Sequence, residues 1–328
     1  MIKIGQIGLG HNHGAAKMAT IRKFSNLFDV IGIAPENEMW MEKRSNLPAY
    51  EGLPILTADE IIRNCDAVLV ETEIPLLTQT AQKCADARKH ILMDKPASGT
   101  LSEFKHLLET AKQNNLVLQL GYMYRYNPAI LKCIEKLNNN EFGQITSINA
   151  EMSASDPVNY RRWLSQFPGG GMYIFGSHLL DLIIRFMGRP VNVHSLFSTS
   201  GKDNLKLKDQ ALAVLEYPNG MARIYTSAIE INGYGRRQFI ISGTKATASI
   251  LPMERPCRMT WSDTEIAKHH HEDFKVTVPV ADPPKECRYD DEVQSFYNYV
   301  TGKEKNPWTY EHDYIVQETL LKIIEGEK

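Results

Sequence analysis

The first 122 residues alternate short apolar runs with helical stretches, and this alternation constrains the fold more than any other feature of the sequence. Each run is rich in Ile, Val or Leu, as expected of strands that are covered on both faces. Such alternation indicates parallel β-α-β units and therefore an α/β domain with a doubly wound parallel sheet. Thr57 with Glu60, and Thr100 with Glu103, fit capping boxes at two helix starts. The predicted strands cover residues 2–7, 30–34, 67–71, 90–93 and 116–120.

After Tyr122 the pattern changes to longer alternating stretches, with one helix predicted after Pro128. Asn219-Gly220 lies between two of these stretches and is typical of a hairpin turn, so we expect an antiparallel sheet. This predicts a second, α+β domain over residues 123–328, with a large and mainly antiparallel open sheet. A final helix at about 310–324 is expected to pack back on the first domain. The predicted strands of this half cover residues 144–153, 191–199, 211–217, 221–231 and 237–242.

A glycine-rich turn follows the first predicted strand and opens a helix. Gly8 and Gly10 stand where the backbone turns tightly and where it approaches a pyrophosphate, which free amides and the helix dipole would stabilise. The third glycine of the usual fingerprint is replaced by His13, and Gly14 comes one residue late. The context nevertheless favours a dinucleotide-binding Rossmann domain over residues 1–122.

The second strand carries the residues that distinguish NAD from NADP. An acidic residue at its end normally binds the adenosine ribose hydroxyls. Pro35 offers no carboxylate, which leaves Glu36 as the candidate, whereas Lys43 and Arg44 lie close enough in sequence to attract a 2′-phosphate. The cofactor is therefore NAD or NADP, and Glu36 favours NAD.

Four segments in this order resemble the glucose-fructose oxidoreductase, inositol dehydrogenase and rhizopine catabolism (Gfo/Idh/MocA) family over nearly the whole chain. They comprise Gly8-Leu9-Gly10, Asp94-Lys95-Pro96, the run from Gly121 to Pro128 that contains Arg125-Tyr126-Asn127-Pro128, and Gly169-Gly170-Gly171 leading to Gly176-Ser177-His178 and Asp181.

The resemblance implies a catalytic role for two residues, Lys95 and His178. The lysine would contact cofactor and substrate at the end of the strand beneath the nicotinamide, and the histidine, on a helix, would accept a proton. A neutral imidazole suits that task, and a lysine stabilises a developing oxyanion. The resemblance also implies a cis peptide near Lys95-Pro96 and homo-oligomers, dimers or tetramers, built on the C-terminal sheet. The expected cofactor-binding residues are Gly8, Gly10, His11, Asn12, His13, Glu36, Thr72 and Lys95.

The sequence departs from the family pattern around the histidine. Relatives commonly carry an aspartate four residues before it, where this chain has Ile174, and Leu77 stands where they often have histidine. Asp181, three residues after His178, would orient the imidazole or serve a structural role. Pro35 is a further departure.

Candidate substrate contacts follow the domain crossover and precede the triple glycine. Arginines there would clamp a carboxylate or sugar hydroxyls, and aromatic rings would offer flat faces to a sugar, although surface and packing roles explain them as well. The candidates are Tyr124, Arg125, Asn127, Arg162, Trp163 and Asp181.

Composition excludes several other classes. A net charge of -2 with no basic tract argues against a nucleic-acid partner, and no apolar run reaches the length of a membrane helix. Five cysteines without a Cys-x-x-Cys pair predict reduced thiols, no metal site and a cytoplasmic protein, and no signal peptide precedes the first strand. The tract His269-His270-His271-Glu272-Asp273 is interpreted as a solvated loop.

These observations predict an NAD(P)-dependent dehydrogenase or reductase that acts on a secondary alcohol of a sugar, polyol or related hydroxy compound. Two alternatives stay open: a lyase or glycosidase of the same fold that retains its NAD, and a non-catalytic nucleotide-binding or sensor protein, which the replacement of the acid by Ile174 suggests.

Overall fold

The computed structural model describes residues 1–269, 273–282 and 288–326, so that Cys287 and residues 270–272 of the histidine tract lie outside the described residues. The chain divides into two units, each made of two segments. The first comprises Met1–Met123 and Glu286–Gln317, and the second Tyr124–Lys285 and Glu318–Lys328.

The elements are numbered in chain order. The strands are β1 (Ile2–Ile7), β2 (Phe28–Ala34), β3 (Ala67–Val70), β4 (His90–Met93), β5 (Leu118–Leu120), β6 (Ile145–Glu151), β7 (Asn192–Ser198), β8 (Gln210–Tyr217), β9 (Gly220–Ser227), β10 (Gln238–Gly243), β11 (Ala246–Ile250), β12 (Met259–Asp263) and β13 (Val276–Val278). The helices are α1 (Gly14–Lys23), α2 (Glu38–Arg44), α3 (Ala58–Asn64), α4 (Leu77–Asp86), α5 (Leu101–Gln113), α6 (Pro128–Asn138), α7 (Val158–Leu164), α8 (Ser177–Met187), α9 (Asp290–Val300) and α10 (Tyr310–Glu325).

The first unit contains a parallel sheet in the order β2-β1-β3-β4-β5. An isolated parallel bridge between Ile33 and Ile55 extends it beyond β2. Counting that bridge as a strand gives the order 3-2-1-4-5-6 of dinucleotide-binding folds. The predicted doubly wound sheet is confirmed, and both capping boxes, at Thr57 and Thr100, are present.

One core of this unit lies between the sheet and helices from both of its segments. Ile2 and Ile4 of β1 pack with Ile21 of α1 and with Val293 and Phe296 of α9. The sequence analysis missed α9, although its buried residues are spaced as on one helical face. This helix brings Glu292 into the unit, fully buried.

The second unit contains a sheet in the order β13-β12-β11-β10-β6-β9-β8-β7, in which only β6 and β9 pair in parallel. The predicted mainly antiparallel sheet is confirmed. Tyr217 pairs with Gly220, so the predicted hairpin exists with Pro218-Asn219 as its two-residue loop. Strands β11 to β13 were not predicted, and β9 ends at Ser227 rather than at 231.

Helix α8 carries His178 and is buried almost throughout. It follows a π-helical turn, Met172–Gly176, and contacts β6 and β9. It is a core helix of its unit, because it is buried almost throughout even though His178, Asp181 and Arg185 form one polar face. Among the residues that the structure describes, no helix combines the length and apolarity needed to cross a bilayer.

Candidate active site

The glycine turn after β1 is sterically determined at two positions. Gly8 has φ +93°, and a Cβ there would lie 2.3 Å from the amide nitrogen of Thr72. A Cβ at Gly10 would lie 2.3 Å from Oε1 of Glu36 and 2.8 Å from the amide nitrogen of Glu73. Only glycine fits either place without a shift of backbone or carboxylate, and the turn leads directly into α1.

Glu36 lies against this turn rather than free in a surface loop. Its Oε2 accepts a hydrogen bond from the amide of Leu9 at 2.7 Å, and its Oε1 accepts from the amides of Gly10 at 2.9 Å and Glu73 at 3.1 Å. Three backbone amides therefore converge on one carboxylate. Such a nest of N–H groups is an anion-binding site.

Arg44 braces the same turn from α2. Its Nη1 donates to the carbonyl oxygens of Leu9 at 2.8 Å and His11 at 2.6 Å, and its Nη2 donates to Oδ1 of Asn12 at 2.8 Å. The guanidinium also stacks on the ring of Trp40, 4.5 Å from its centroid. The sequence analysis named Arg44 as a residue that would attract the 2′-phosphate of NADP. In the structure its guanidinium is already bonded to three oxygen atoms of the turn.

Asp94 and Lys95 follow β4 at the carboxyl end of the sheet, where ligands of open α/β sheets bind. The Lys95 amide donates to Oδ1 of Asp94 at 2.7 Å, and the Lys95–Pro96 peptide is cis, as the resemblance implied. His13 Nδ1 lies 3.0 Å from Oδ2 of Asp94. The glycine turn and the Lys95 segment are therefore in direct contact.

Lys17 of α1 is fully buried and gathers three buried carboxylates. Its Nζ lies 2.7 Å from Asp94, 3.1 Å from Glu71 and 3.2 Å from Glu292. Burial alone would lower the pKa of Lys17, but the three carboxylates raise it well above its ordinary value. Burial raises the pKa of Glu292 to about 7, and the charge of Lys17 opposes that rise.

In the second unit, His178 is 2% exposed and lies in an edge-to-face contact with the ring of Tyr124, with centroids 5.3 Å apart. The hydroxyl of Tyr124 donates to Glu254 in a short hydrogen bond, and Arg237 donates to the same carboxylate at 3.1 Å. Tyr124 therefore links the histidine to a buried ion pair.

The remaining substrate candidates divide by environment. Asp181 and Arg125 form a buried ion pair, and Asn127 caps α6 while donating to the carbonyl of Met253 at 3.0 Å. Arg162 is exposed and donates to Asn159. Trp163 is half-buried and packs on aromatic neighbours, Tyr160 and Phe167. A contact of these residues with substrate stays a prediction.

The sequence analysis missed several buried polar residues near these candidates. Lys17 is spaced three or four residues from the buried Gly14 and Ile21 and is adjacent to the buried Met18. This helical periodicity could have predicted a buried position for Lys17. Glu71 follows an entirely apolar strand, which is a similar signal. Asp156 gave no signal; burial raises its pKa to about 6 although Arg237 and Arg161 oppose the rise.

The residues present fit a dinucleotide. The turn leaves no room for side chains at Gly8 and Gly10, and α1 begins directly behind it without acidic residues in its first turn. Thr72 is buried with its amide beside Gly8, at the end of β3. The positive end of α1 favours a pyrophosphate at this place.

Two family models match the chain. Residues 2–122 match the model of an oxidoreductase family with an NAD-binding Rossmann fold. Residues 130–249 match the model of the GFO/IDH/MocA C-terminal domain. The two matches fall on the first and second sheets.

Individual relatives are distant. The chain is 24% identical over 257 residues to an uncharacterized oxidoreductase of Schizosaccharomyces pombe, which covers 75% of this chain and 69% of that protein. It is 24% identical over 258 residues to myo-inositol 2-dehydrogenase of Thermotoga maritima, covering 73% of this chain and 75% of that protein. The solved structure of UDP-N-acetylglucosamine 3-dehydrogenase from Acidithiobacillus ferrooxidans has a TM-score of 0.79 at 20% identity, covering 99% of this chain and 97% of that one. This structural likeness shows the fold.

Proposed function

The chain belongs to the Gfo/Idh/MocA family of NAD-binding oxidoreductases, and from this premise we propose that it oxidises a secondary alcohol of a sugar or polyol, or reduces the corresponding ketone. The observation that carries the proposal is the direct contact of the glycine turn with the Lys95 segment through His13 and Asp94. It brings the dinucleotide cradle beside a buried lysine, which is 3% exposed, at one edge of the sheet. The name of the relative myo-inositol 2-dehydrogenase supports the substrate class.

Two residues carry the chemistry in this proposal. Oxidation of the alcohol removes a hydride from the carbon and a proton from the hydroxyl, which leaves a ketone. Lys95 donates a hydrogen bond to the reacting oxygen and stabilises its developing negative charge. His178 accepts the hydroxyl proton as a neutral imidazole. The bound nicotinamide supplies the hydride acceptor.

The cofactor contacts follow from the turn. The amides of Leu9 and Gly10 bind Glu36, and those of Gly8 and His11 donate to the carbonyl oxygens of Ala34 and Glu71. The pyrophosphate would therefore lie at the positive end of α1, with Thr72 and Lys95 at the sheet edge beyond it. We propose NAD rather than NADP, because a 2′-phosphate beside the Glu36 carboxylate would meet a like charge. The engagement of Arg44 by three acceptors of the turn supports the same preference.

A screen of polyols and sugars with NAD⁺ and NADP⁺, followed by the absorbance of the reduced nicotinamide, tests this function. We expect turnover with at least one polyol and a loss of more than about 100-fold in kcat for Lys95→Met. Lys83→Met, at an exposed position of α4, is the matched control and should retain the wild-type rate. A Lys95→Met variant with wild-type kcat would overturn the role of the lysine, and turnover of bound NAD without net reduction would assign the chain to the NAD-retaining alternative.

A further inference from the structure

Two histidines and two carboxylates converge beneath the glycine turn. His13 Nδ1 lies 3.0 Å and His11 Nδ1 lies 3.4 Å from Oδ2 of Asp94, and His11 Nδ1 lies 3.3 Å from Oε2 of Glu71. Ligand atoms of a tetrahedral zinc ion, each about 2.0–2.1 Å from the metal, are separated by roughly 3.3 Å. The Nδ1 atoms of both histidines and Oδ2 of Asp94 lie within 4.8 Å of one another, so one ion can reach all three.

Asp94 is the contact that the cluster shares. Lys17 Nζ approaches its Oδ2 at 2.7 Å, and its Oδ1 accepts from the Lys95 amide. The His13 amide donates to Nδ1 of His11 at 3.3 Å, so this nitrogen carries a lone pair rather than a proton. A metal ion would take that lone pair.

The surrounding charge also favours a cation. Asp94, Glu71 and Glu292 are fully buried, and Lys17 is the ammonium in contact with all three. Lys17 Nζ contacts one oxygen of Glu71 at 3.1 Å and one of Glu292 at 3.2 Å, and their other oxygens accept no hydrogen bond among the described residues. One ammonium among three buried carboxylates leaves an excess of negative charge, which a bound cation would stabilise.

We propose that His11, His13 and Asp94 form a binding site for one divalent transition-metal ion of the Zn²⁺ or Fe²⁺ class, with the Glu71 carboxylate 3.3 Å from His11 Nδ1. Imidazole nitrogens and carboxylate oxygens are the donor set that such ions take. Glu71, Glu292 and Lys17 surround the ligands, and Lys17 holds Asp94 and Glu71 in place. The site is distinct from the place of the pyrophosphate, which is the positive end of α1.

Occupation of this site would tie the glycine turn to the end of β4. His11 and His13 belong to the turn, and Asp94 follows β4 and precedes Lys95. A bound ion therefore fixes the turn and the Lys95 segment in one arrangement. The ion would support the cofactor cradle from below.

Metal titration of the tag-free chain, after removal of metal with a chelator, tests the proposal. We expect one Zn²⁺ per chain by isothermal titration, a ligand-field spectrum with Co²⁺, and a rise in Tm when Zn²⁺ is added. His13→Ala, whose ring is 29% exposed and therefore replaceable, should lower the Zn²⁺ affinity by more than about 100-fold and abolish the rise in Tm. Folding of the variant is checked by its circular dichroism.

Two controls separate this site from other histidines. His194→Ala, at an exposed pair with Glu216 on β7, should bind zinc as the wild type does. A variant with asparagine in place of His269, His270 and His271 should also retain its one ion. Loss of binding in that variant, equal binding in folded His13→Ala, or no binding by the wild type would overturn the proposal, and the last result would assign the cluster to histidine–carboxylate hydrogen bonds alone.

Discussion

Arg125 donates hydrogen bonds to both carboxylate oxygens of Asp181, from Nε at 3.0 and 3.2 Å and from Nη2 at 2.6 Å. Both side chains are 1% exposed. Asp181 follows His178 by three residues on α8, and on sequence grounds it was a candidate to orient the imidazole. In the structure its carboxylate accepts from the planar fork of the guanidinium, a geometry that arginine provides and lysine does not. An orienting role of Asp181 toward His178 stays a prediction.

This buried pair predicts a strong and asymmetric stability effect. Asp181→Asn removes the negative charge that the buried Arg125 guanidinium contacts, so we expect the free energy of unfolding to fall by about 3–5 kcal/mol. The double variant Arg125→Met with Asp181→Leu removes both charges and should recover most of that loss. Urea denaturation measures both.

The exposed pair of Lys105 and Glu109 on α5 provides the comparison. Glu109→Ala should change the free energy of unfolding by less than about 0.5 kcal/mol, because exposed pairs contribute little. Equal effects of Asp181→Asn and Glu109→Ala would contradict the assignment of Arg125–Asp181 as a buried charge pair.

Most helices and strands could be predicted from the sequence, because their local hydrophobic pattern agrees with the side chains that the fold buries. The strands β1 to β5 are short and rich in Ile, Val or Leu, and the caps at Thr57 and Thr100 have their own short-range signal. Strands β11 and β12 were missed because small and polar residues are frequent in them, as in Ala246–Ile250, and their pairing partners rather than their composition define them. Strand β13 was missed because it has three residues.

The site was predicted less completely, for a physical reason. Gly8, Gly10 and Glu36 belong to a local motif, and the structure places all three at the same turn. The carboxylates around Lys17 belong to Glu71 after β3, Asp94 after β4 and Glu292 on α9. Glu71 and Glu292 are more than 200 residues apart in the sequence, so no local pattern connects them. Tertiary structure alone brings such a cluster together.

The conformation of Gly8 predicts a loss of both stability and nucleotide binding in Gly8→Ala. The added Cβ would press on the backbone of Thr72 at 2.3 Å in a residue with φ +93°. We expect the free energy of unfolding to fall by more than about 2 kcal/mol, of which about 1–2 kcal/mol comes from the backbone conformation itself. Calorimetric titration with NAD⁺ should detect no binding.

Gly52→Ala separates the two contributions. Gly52 has φ +74°, but an added Cβ there meets nothing within 4 Å. This variant should lose only the conformational part and keep its affinity for NAD⁺. If Gly8→Ala is no less stable than Gly52→Ala, the close approach to Thr72 does not determine the turn.

The Glu36 carboxylate is expected to determine the preference for NAD over NADP. Glu36→Gln removes the negative charge beside the turn and leaves one oxygen to serve the three amides, of Leu9, Gly10 and Glu73. We expect the ratio of NAD⁺ to NADP⁺ affinity to fall by about 10-fold, which corresponds to about 1.4 kcal/mol. Glu38→Gln, an equal charge change at an exposed position of α2, should leave the ratio unchanged. The same ratio in Glu36→Gln and the wild type would remove Glu36 from cofactor selection.

Asp156 predicts a pH-dependent stability with a defined sign. Burial raises its pKa from 3.8 to about 6, against the opposing charges of Arg237 and Arg161, and its Oδ2 accepts no hydrogen bond among the described residues. Because the folded state holds the proton more tightly than the unfolded state, the contribution of this group to stability is full below about pH 4 and is lost as the pH rises through 6. At pH 8 the folded protein carries a desolvated carboxylate.

The variant Asp156→Asn should therefore raise the free energy of unfolding at pH 8 by about 1 kcal/mol and change it little at pH 4. The gain at pH 8 is smaller than the full pKa shift implies, because the carboxyl group is partly exposed to solvent. Urea denaturation at both pH values measures the difference, with Asp29→Asn, an exposed carboxylate of β2, as the control. A gain in Asp156→Asn that is equal at both pH values would show that titration of this carboxyl is not its source.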